Sequence, residues 1–97
     1  MGEVTVSTHV LDTERGRPAA GVHVELLRDG GLVGASITDA DGRIGELFAG
    51  EPGVYAIVFR PPSPFFRRVE LELELELGHY HLPLLVSSYA CATYRGS

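Results

Sequence analysis

The side chains best suited to chemistry in this 97-residue chain are imidazoles and guanidiniums. It has four histidines, and its eight cations are all arginine, with no lysine. His9 stands in Ser7-Thr8-His9-Val10-Leu11-Asp12, and His79 and His81 flank Tyr80 near the C-terminus. An imidazole titrates near pH ~6.5, so it can take or give a proton at neutral pH. A guanidinium stays protonated and instead offers a rigid fork of donors to planar or anionic groups. Such groups suit proton transfer and polar recognition, provided the fold brings them together.

Other chemistries fit less well. The pair His79 and His81 puts two imidazoles on one side of a strand, a spacing that zinc can use. Structural zinc takes four ligands and catalytic zinc three, however, and Cys91 with a distant His9 is a thin supplement. No metal site is therefore expected. There is no Gly-x-Ser-x-Gly elbow to present a serine nucleophile. A phosphate-cradling loop ending in lysine is impossible in a chain without lysine.

The elements that must position these residues repeat with period two. In Val69-Glu70-Leu71-Glu72-Leu73-Glu74-Leu75-Glu76-Leu77 every odd residue is apolar and every even one is glutamate. A helix would wrap those leucines around its whole circumference, whereas a strand gives them one core-facing side. Further strands are predicted over Val4 to Leu11, Gly21 to Leu27, Leu32 to Thr38, Val54 to Phe59, Tyr80 to Val86 and Tyr89 to Tyr94. Breakers such as Asp29-Gly30-Gly31 and Pro61-Pro62-Ser63-Pro64 separate them. Short strands with a turn about every ten residues describe an all-β sandwich. Alternation also assigns faces. Val4, Val6, Thr8 and Val10 point to the core, which leaves His9 with Thr5, Ser7 and Leu11 on the more polar side. Tyr80, Leu82, Leu84 and Val86 form the next apolar face, with His79, His81, Pro83 and Leu85 turned outward. His23, beside Glu25, reads as simply solvated. Three outward histidines can meet in a cleft if their strands are neighbours, which spacing alone does not show.

Bulk properties bound the rest. Residues 1–97 make one domain, since a single core takes roughly 100 residues. A net charge of −5 opposes nucleic-acid binding, which requires a basic footprint. Only Arg67 and Arg68 adjoin among the arginines, so no basic patch suits a membrane surface. The start Met1-Gly2-Glu3-Val4 lacks the charged and apolar regions of a secretory signal, and no run is long enough to span a bilayer as a helix. One cysteine permits no intrachain disulfide. A cytoplasmic protein is the expectation.

Three segments carry a resemblance. The first is Ser7-Thr8-His9-Val10-Leu11-Asp12 with Gly16-Arg17-Pro18-Ala19 after it, and the second is Thr38-Asp39-Ala40-Asp41-Gly42-Arg43. The third runs from His79-Tyr80-His81-Leu82-Pro83-Leu84-Leu85-Val86-Ser87 to Thr93-Tyr94-Arg95-Gly96-Ser97. In this order and spacing the chain resembles the 5-hydroxyisourate hydrolase branch of the transthyretin-like family over nearly its whole length. The Asp/Gly turn is weak alone, whereas the Tyr-Arg-Gly-Ser ending is specific and is absent from the hormone carrier transthyretin.

The resemblance implies a two-sheet antiparallel β-sandwich of about seven to eight strands. It further implies a homotetramer with active sites at subunit interfaces, and hydrolysis of 5-hydroxyisourate in urate breakdown without metal or organic cofactor. Carried over motif by motif, the catalytic residues fall on His9, Arg43, His81 and Ser97. Arg43, Tyr94, Arg95, Gly96 and Ser97 are then the residues that bind substrate. Histidines near pKa ~6.5 suit water activation, and Arg43 suits a planar, oxygen-rich ring and its developing negative charge. Either His9 or His81 can be the base. Arg95 either pairs with acidic groups to fix the tail or touches substrate. The alternative is a transthyretin-like binding protein without turnover.

Three departures from the family pattern stand out. Arg60 to Arg68 is short and proline-rich, so the family's short helix is expected to be missing. Glu70, Glu72, Glu74 and Glu76 line one face of a strand near the edge used for dimer contact. They serve solubility, or else they weaken the tetramer by repulsion. Ser88 stands where proline is common, and a looser turn is expected there.

Overall fold

The alternating segments do form strands in the computed structural model, which describes residues 2–96. In chain order they are β1 (Val4–Asp12), β2 (Arg17–Pro18), β3 (His23–Arg28), β4 (Gly31–Ile37), β5 (Arg43–Gly50), β6 (Gly53–Phe59), β7 (Val69–Leu75), β8 (Gly78–Val86) and β9 (Cys91–Thr93). Two sheets result. One has the order β4-β3-β6-β7, and the other runs β2-β1-β8-β9 with β5 also paired to β1. Among the described residues there is no helix. The 60–68 segment is an irregular loop in which Ser63 Oγ accepts from the N–H groups of Phe65 and Phe66 and donates to the Ser88 carbonyl.

The core lies between the sheets and follows the expected alternation. Val4, Val6 and Val10 of β1 face Val24 and Leu26 of β3, Ile57 and Phe59 of β6, and Leu84 and Val86 of β8, all essentially without exposure. Thr8 also points inward, where its hydroxyl donates to the Leu82 carbonyl at 2.6 Å and leaves no orphaned polar atom. Burying each large apolar side chain contributes about 1.5–3 kcal/mol, so β1 and β8 are held firmly from beneath.

Four features depart from the sequence reading. The strand β5 was not among the predicted strands, and neither was the two-residue β2. In β5 the buried residues Ile44 and Leu47 are three apart rather than two. A bulge opposite Val6 to Thr8 breaks the alternation there. β1 and β8 run parallel, in register from Val4↔Gly78 to Asp12↔Val86, while the other pairings are antiparallel. On β8, Pro83 is buried rather than turned to solvent, and Thr93 Oγ1 donates to its carbonyl at 2.8 Å. Ser88 is fastened by bonds that the sequence reading did not foresee. Its N–H and hydroxyl both donate to the Glu14 carboxylate, at 2.8 and 2.6 Å, and those bonds hold the Glu14 carboxyl below its ordinary pKa. A proline at that position has no N–H to give.

Candidate active site

β1 is the axis of the candidate site, with β5 along one edge and β8 along the other. Antiparallel pairing sets His9 directly opposite Arg43, and parallel pairing sets Ser7 beside His81. Directly opposed residues share a face with Cβ atoms about 5 Å apart. His9, Arg43 and His81 therefore project from one face across three adjacent strands. His9 and His81 are half-buried and Arg43 is exposed. Open cavities of about 310 and 360 Å³ lie elsewhere, one beside Tyr55 and Glu72 and the other beside Glu14 and Ser88. Within one chain the triad sits on an open sheet face.

The turn before β5 orients two of these side chains. The Asp39 carboxylate accepts from the N–H groups of Asp41 and Arg43, both at 2.9 Å, and the bond from Arg43 is the main cause of its lowered pKa. Gly42 has φ +74°, and a Cβ there would stand 2.5 Å from the Val10 carbonyl oxygen. Only glycine fits both the left-handed conformation and the close approach. In return the Gly42 carbonyl accepts from Val10 N–H at 2.7 Å, pinning the turn beside His9. The Asp41 carbonyl then meets His9 Nε2 at 2.9 Å. A carbonyl can only accept, so His9 carries its proton on Nε2 and offers the lone pair of Nδ1.

His81 is held from the other side. Its Nδ1 lies 2.8 Å from Ser7 Oγ, and the same oxygen lies 2.9 Å from His79 Nε2. His79 Nδ1 in turn meets Thr5 Oγ1 at 2.7 Å. Partial burial lowers the His81 pKa from its ordinary 6.5, and the Arg43 charge lowers it further. At neutral pH His81 is an uncharged imidazole whose Nε2 is left for chemistry.

The C-terminal segment closes over His81. Gly96 N–H donates to the His81 carbonyl at 2.6 Å, forming an antiparallel bridge. A Cβ on Gly96 would come within 2.8 Å of the His81 ring, so glycine is required for this contact. Arg95 stacks its guanidinium 4.2 Å above the Tyr80 ring, an attraction of about 0.5–1 kcal/mol at an exposed site. Among the described residues it pairs with no carboxylate. Tyr94 is exposed, and Ser97 lies outside the described residues.

Ser7, Asp39 and the carbonyl of Asp41 were not singled out from the sequence, and His79 was weighed as a metal ligand and as one of three histidines that could meet in a cleft, not as a neighbour of Ser7. The roles of Ser7, His79 and the Asp41 carbonyl depend on pairings across 32 to 74 residues of chain, a separation that local patterning does not encode, whereas the Asp39 carboxylate bonds N–H groups only two and four residues further on. His79 spends both ring nitrogens on hydroxyls. Among the described residues no three His, Cys, Asp or Glu side chains are grouped as metal ligands. His23 is exposed and away from the triad, as expected of a solvated residue.

The same arrangement of strands and motifs recurs in known proteins. The model of the HIUase/Transthyretin family matches residues 6–96. Across 100% of its length the chain is 38% identical to a 5-hydroxyisourate hydrolase of Pseudomonas aeruginosa, covering 93% of that protein. The alignment extends over 119 residues, so the relative carries segments that this shorter chain lacks. Among solved structures, Klebsiella pneumoniae 5-hydroxyisourate hydrolase superimposes with a TM-score of 0.88 at 34% identity, over 97% of this chain and 99% of that one. Sea bream transthyretin in complex with thyroxine superimposes with a TM-score of 0.81 at 26% identity, over 94% and 93%. Of these two, the hydrolase is nearer in both measures.

Proposed function

Because the chain belongs to the HIUase/transthyretin family, we propose that it is a 5-hydroxyisourate hydrolase acting in urate degradation. It opens the cyclic amide of 5-hydroxyisourate to give 2-oxo-4-hydroxy-4-carboxy-5-ureidoimidazoline. The observation that carries this reading is the convergence of His9, Arg43 and His81 on one face of three neighbouring strands. A thyroxine-type binding channel has no need of two imidazoles and a guanidinium held in that way.

The chemistry follows from the geometry. Water is a poor nucleophile until a base removes its proton, an effect worth about 10²–10⁴-fold. His81 suits the base, since burial and Arg43 keep it neutral and Ser7 fixes its Nδ1. Arg43 holds the ring oxygens in its fork and opposes the charge that develops on the attacked carbonyl. His9, with its proton fixed on Nε2 by Asp41, presents Nδ1 to orient the water or an N–H of the ring. Tyr94, Arg95, Gly96 and Ser97 of the tail are the proposed further partners of the substrate. No metal or organic cofactor takes part.

One sheet face cannot enclose a small ring, so a second subunit must cover the triad. A homotetramer with the sites at subunit interfaces, working in the cytoplasm, is part of the proposal. A coupled assay tests it, with urate oxidase producing 5-hydroxyisourate in situ and its absorbance decay followed with and without the untagged protein. Faster decay that disappears in His9→Ala and His81→Ala is the expected result. No acceleration by the folded wild type would return the chain to the binding-protein reading.

A further inference from the structure

Behind the triad, Ser7, His79 and Thr5 form one continuous chain of hydrogen bonds that ends on His81. Thr5 Oγ1 to His79 Nδ1 is 2.7 Å, His79 Nε2 to Ser7 Oγ is 2.9 Å, and Ser7 Oγ to His81 Nδ1 is 2.8 Å. Every link joins an imidazole nitrogen to a hydroxyl, and each of these groups can both donate and accept. Two orientations of the protons therefore satisfy the whole chain. In one, His81 Nδ1–H donates to Ser7, Ser7 donates to His79 Nε2, and His79 Nδ1–H donates to Thr5. His81 then shows a bare Nε2. In the other, Thr5 donates to His79, His79 Nε2–H to Ser7 and Ser7 to His81 Nδ1, so His81 shows Nε2–H.

These two forms are what the two halves of an amide hydrolysis require. We propose that Ser7 and His79 are positioning residues that set and switch the tautomer of His81, passing a proton between its Nδ1 and solvent by way of Thr5. The inference rests on the hydrolase reading above. As water attacks, its O–H bond breaks, the oxygen bonds to the carbonyl carbon and the proton goes to His81 Nε2. The Nδ1 proton moves to Ser7 Oγ, the Ser7 proton to His79 Nε2, the His79 Nδ1 proton to Thr5 Oγ1, and the Thr5 proton to solvent. His81 stays neutral throughout and now bears its proton on Nε2. When the ring C–N bond breaks, Nε2 delivers that proton to the departing nitrogen, and the reverse shift restores Nδ1–H from solvent. One proton leaves and one returns.

The surroundings favour this route over a lasting imidazolium. His81 is faced by Arg43 from β5, by His9 and Ser7 from β1, by His79 on its own strand, and by Gly96 of the C-terminal segment. Two of those neighbours are imidazoles and one is a fixed cation, and no carboxylate among the described residues bonds the ring. Ser7, which bonds His81 directly, is only 8% exposed, whereas His79, the next link, is open to solvent.

Three variants and two readouts test this. In Ser7→Ala, kcat should fall about 10- to 100-fold with KM little changed, because a group that acts in the transition state alone is lost. Ser7→Thr keeps the hydroxyl and should recover most of the rate, which a packing defect at Ser7 would not allow. His79→Gln keeps a hydrogen bond to Ser7 but cannot relay. Rates in mixtures of H₂O and D₂O should bow downward for the wild type, with several protons in flight, and become linear in Ser7→Ala and His79→Gln. Bowing that persists in both variants, or a wild-type kcat in Ser7→Ala, overturns the relay. The second readout needs no turnover. Long-range ¹H–¹⁵N spectra of the histidine rings should show the Nδ1–H form of His81 falling in Ser7→Ala, and an unchanged tautomer ratio overturns the proposal even if the wild type proves inactive on 5-hydroxyisourate.

Discussion

Arg43 and His81 are coupled, and the coupling makes their roles separable. Burial is the larger cause of the lowered His81 pKa and the Arg43 charge is the next. With His81 as the proposed base its neutral form is the active one, so kcat/KM should fall as pH drops through an apparent pKa below the ordinary 6.5. Replacing Arg43 by glutamine removes a positive field and should move that acid limb upward, though not past the ordinary value, because burial remains. Arg43→Lys keeps the charge and should leave the limb in place. It loses the planar fork, and by analogy with oxyanion-hole deletions should cost about 10²–10³ in kcat. The backbone N–H of residue 43 still bonds Asp39 in either variant, so folding is spared. Wild-type kinetics in Arg43→Lys would refute the clamp, and an unmoved limb in Arg43→Gln would refute the electrostatic coupling. The same shift has a stability sign: the unfolded chain binds the His81 proton more tightly, so this group's contribution to stability diminishes as pH falls through that window.

At the scale of elements, two connections do the positioning. Gly42 ties the turn before β5 to β1, and Gly42→Ala meets both a left-handed φ and the Val10 carbonyl. The conformational cost alone is about 1–2 kcal/mol, and on the scale of a domain this size that lowers Tm by roughly 5–15 °C at matched protein concentration. Activity measured well below the melting point should fall as well, because Asp41 no longer orients His9; an unchanged Tm would show that the turn has room to relax. The second connection is the bridge from Gly96 to His81. The tail meets His81 at Gly96, so a C-terminal tag should depress activity without lowering Tm, and a fully active tagged protein would remove the tail from the site. Legibility differed by element for a physical reason. β7 alternates strictly, and the core-facing sides of β1 and β8 could be read from their valines and leucines, Pro83 apart. β5 could not, since its bulge and its glycines interrupt the period. The motif around Gly42 was visible but weak, and its purpose emerges only when β5 pairs with β1.

For the whole molecule, the sequence disclosed the triad through family motifs, not through topology. That β1 and β8 lie parallel and side by side is a fact about residues some 74 apart, which no local pattern reveals. The surface that the proposed assembly would cover is harder to read, and the glutamate ladder bears on it directly. β7 is the outer strand of its sheet, with Glu70, Glu72 and Glu74 exposed along it and Glu76 just beyond its end. Carboxylates two residues apart on a strand are about 6.6 Å from one another. That is inside the Debye length of ~10 Å at 0.1 M salt but well outside the ~3 Å at 1 M. Arg68 pairs with Glu70, and among the described residues the other three have no ion-pair partner. If this edge meets its symmetry mate, the like charges oppose assembly at low salt and are screened at high salt. Sedimentation at low protein concentration should therefore show dissociation in ~0.05 M salt that ~1 M salt reverses. Glu72→Gln with Glu74→Gln should make the assembly insensitive to salt. A tetramer that persists at nanomolar concentration and low salt from pH 6 to 9 would show that the ladder faces solvent in the assembly and acts only to keep the edge from pairing with other chains.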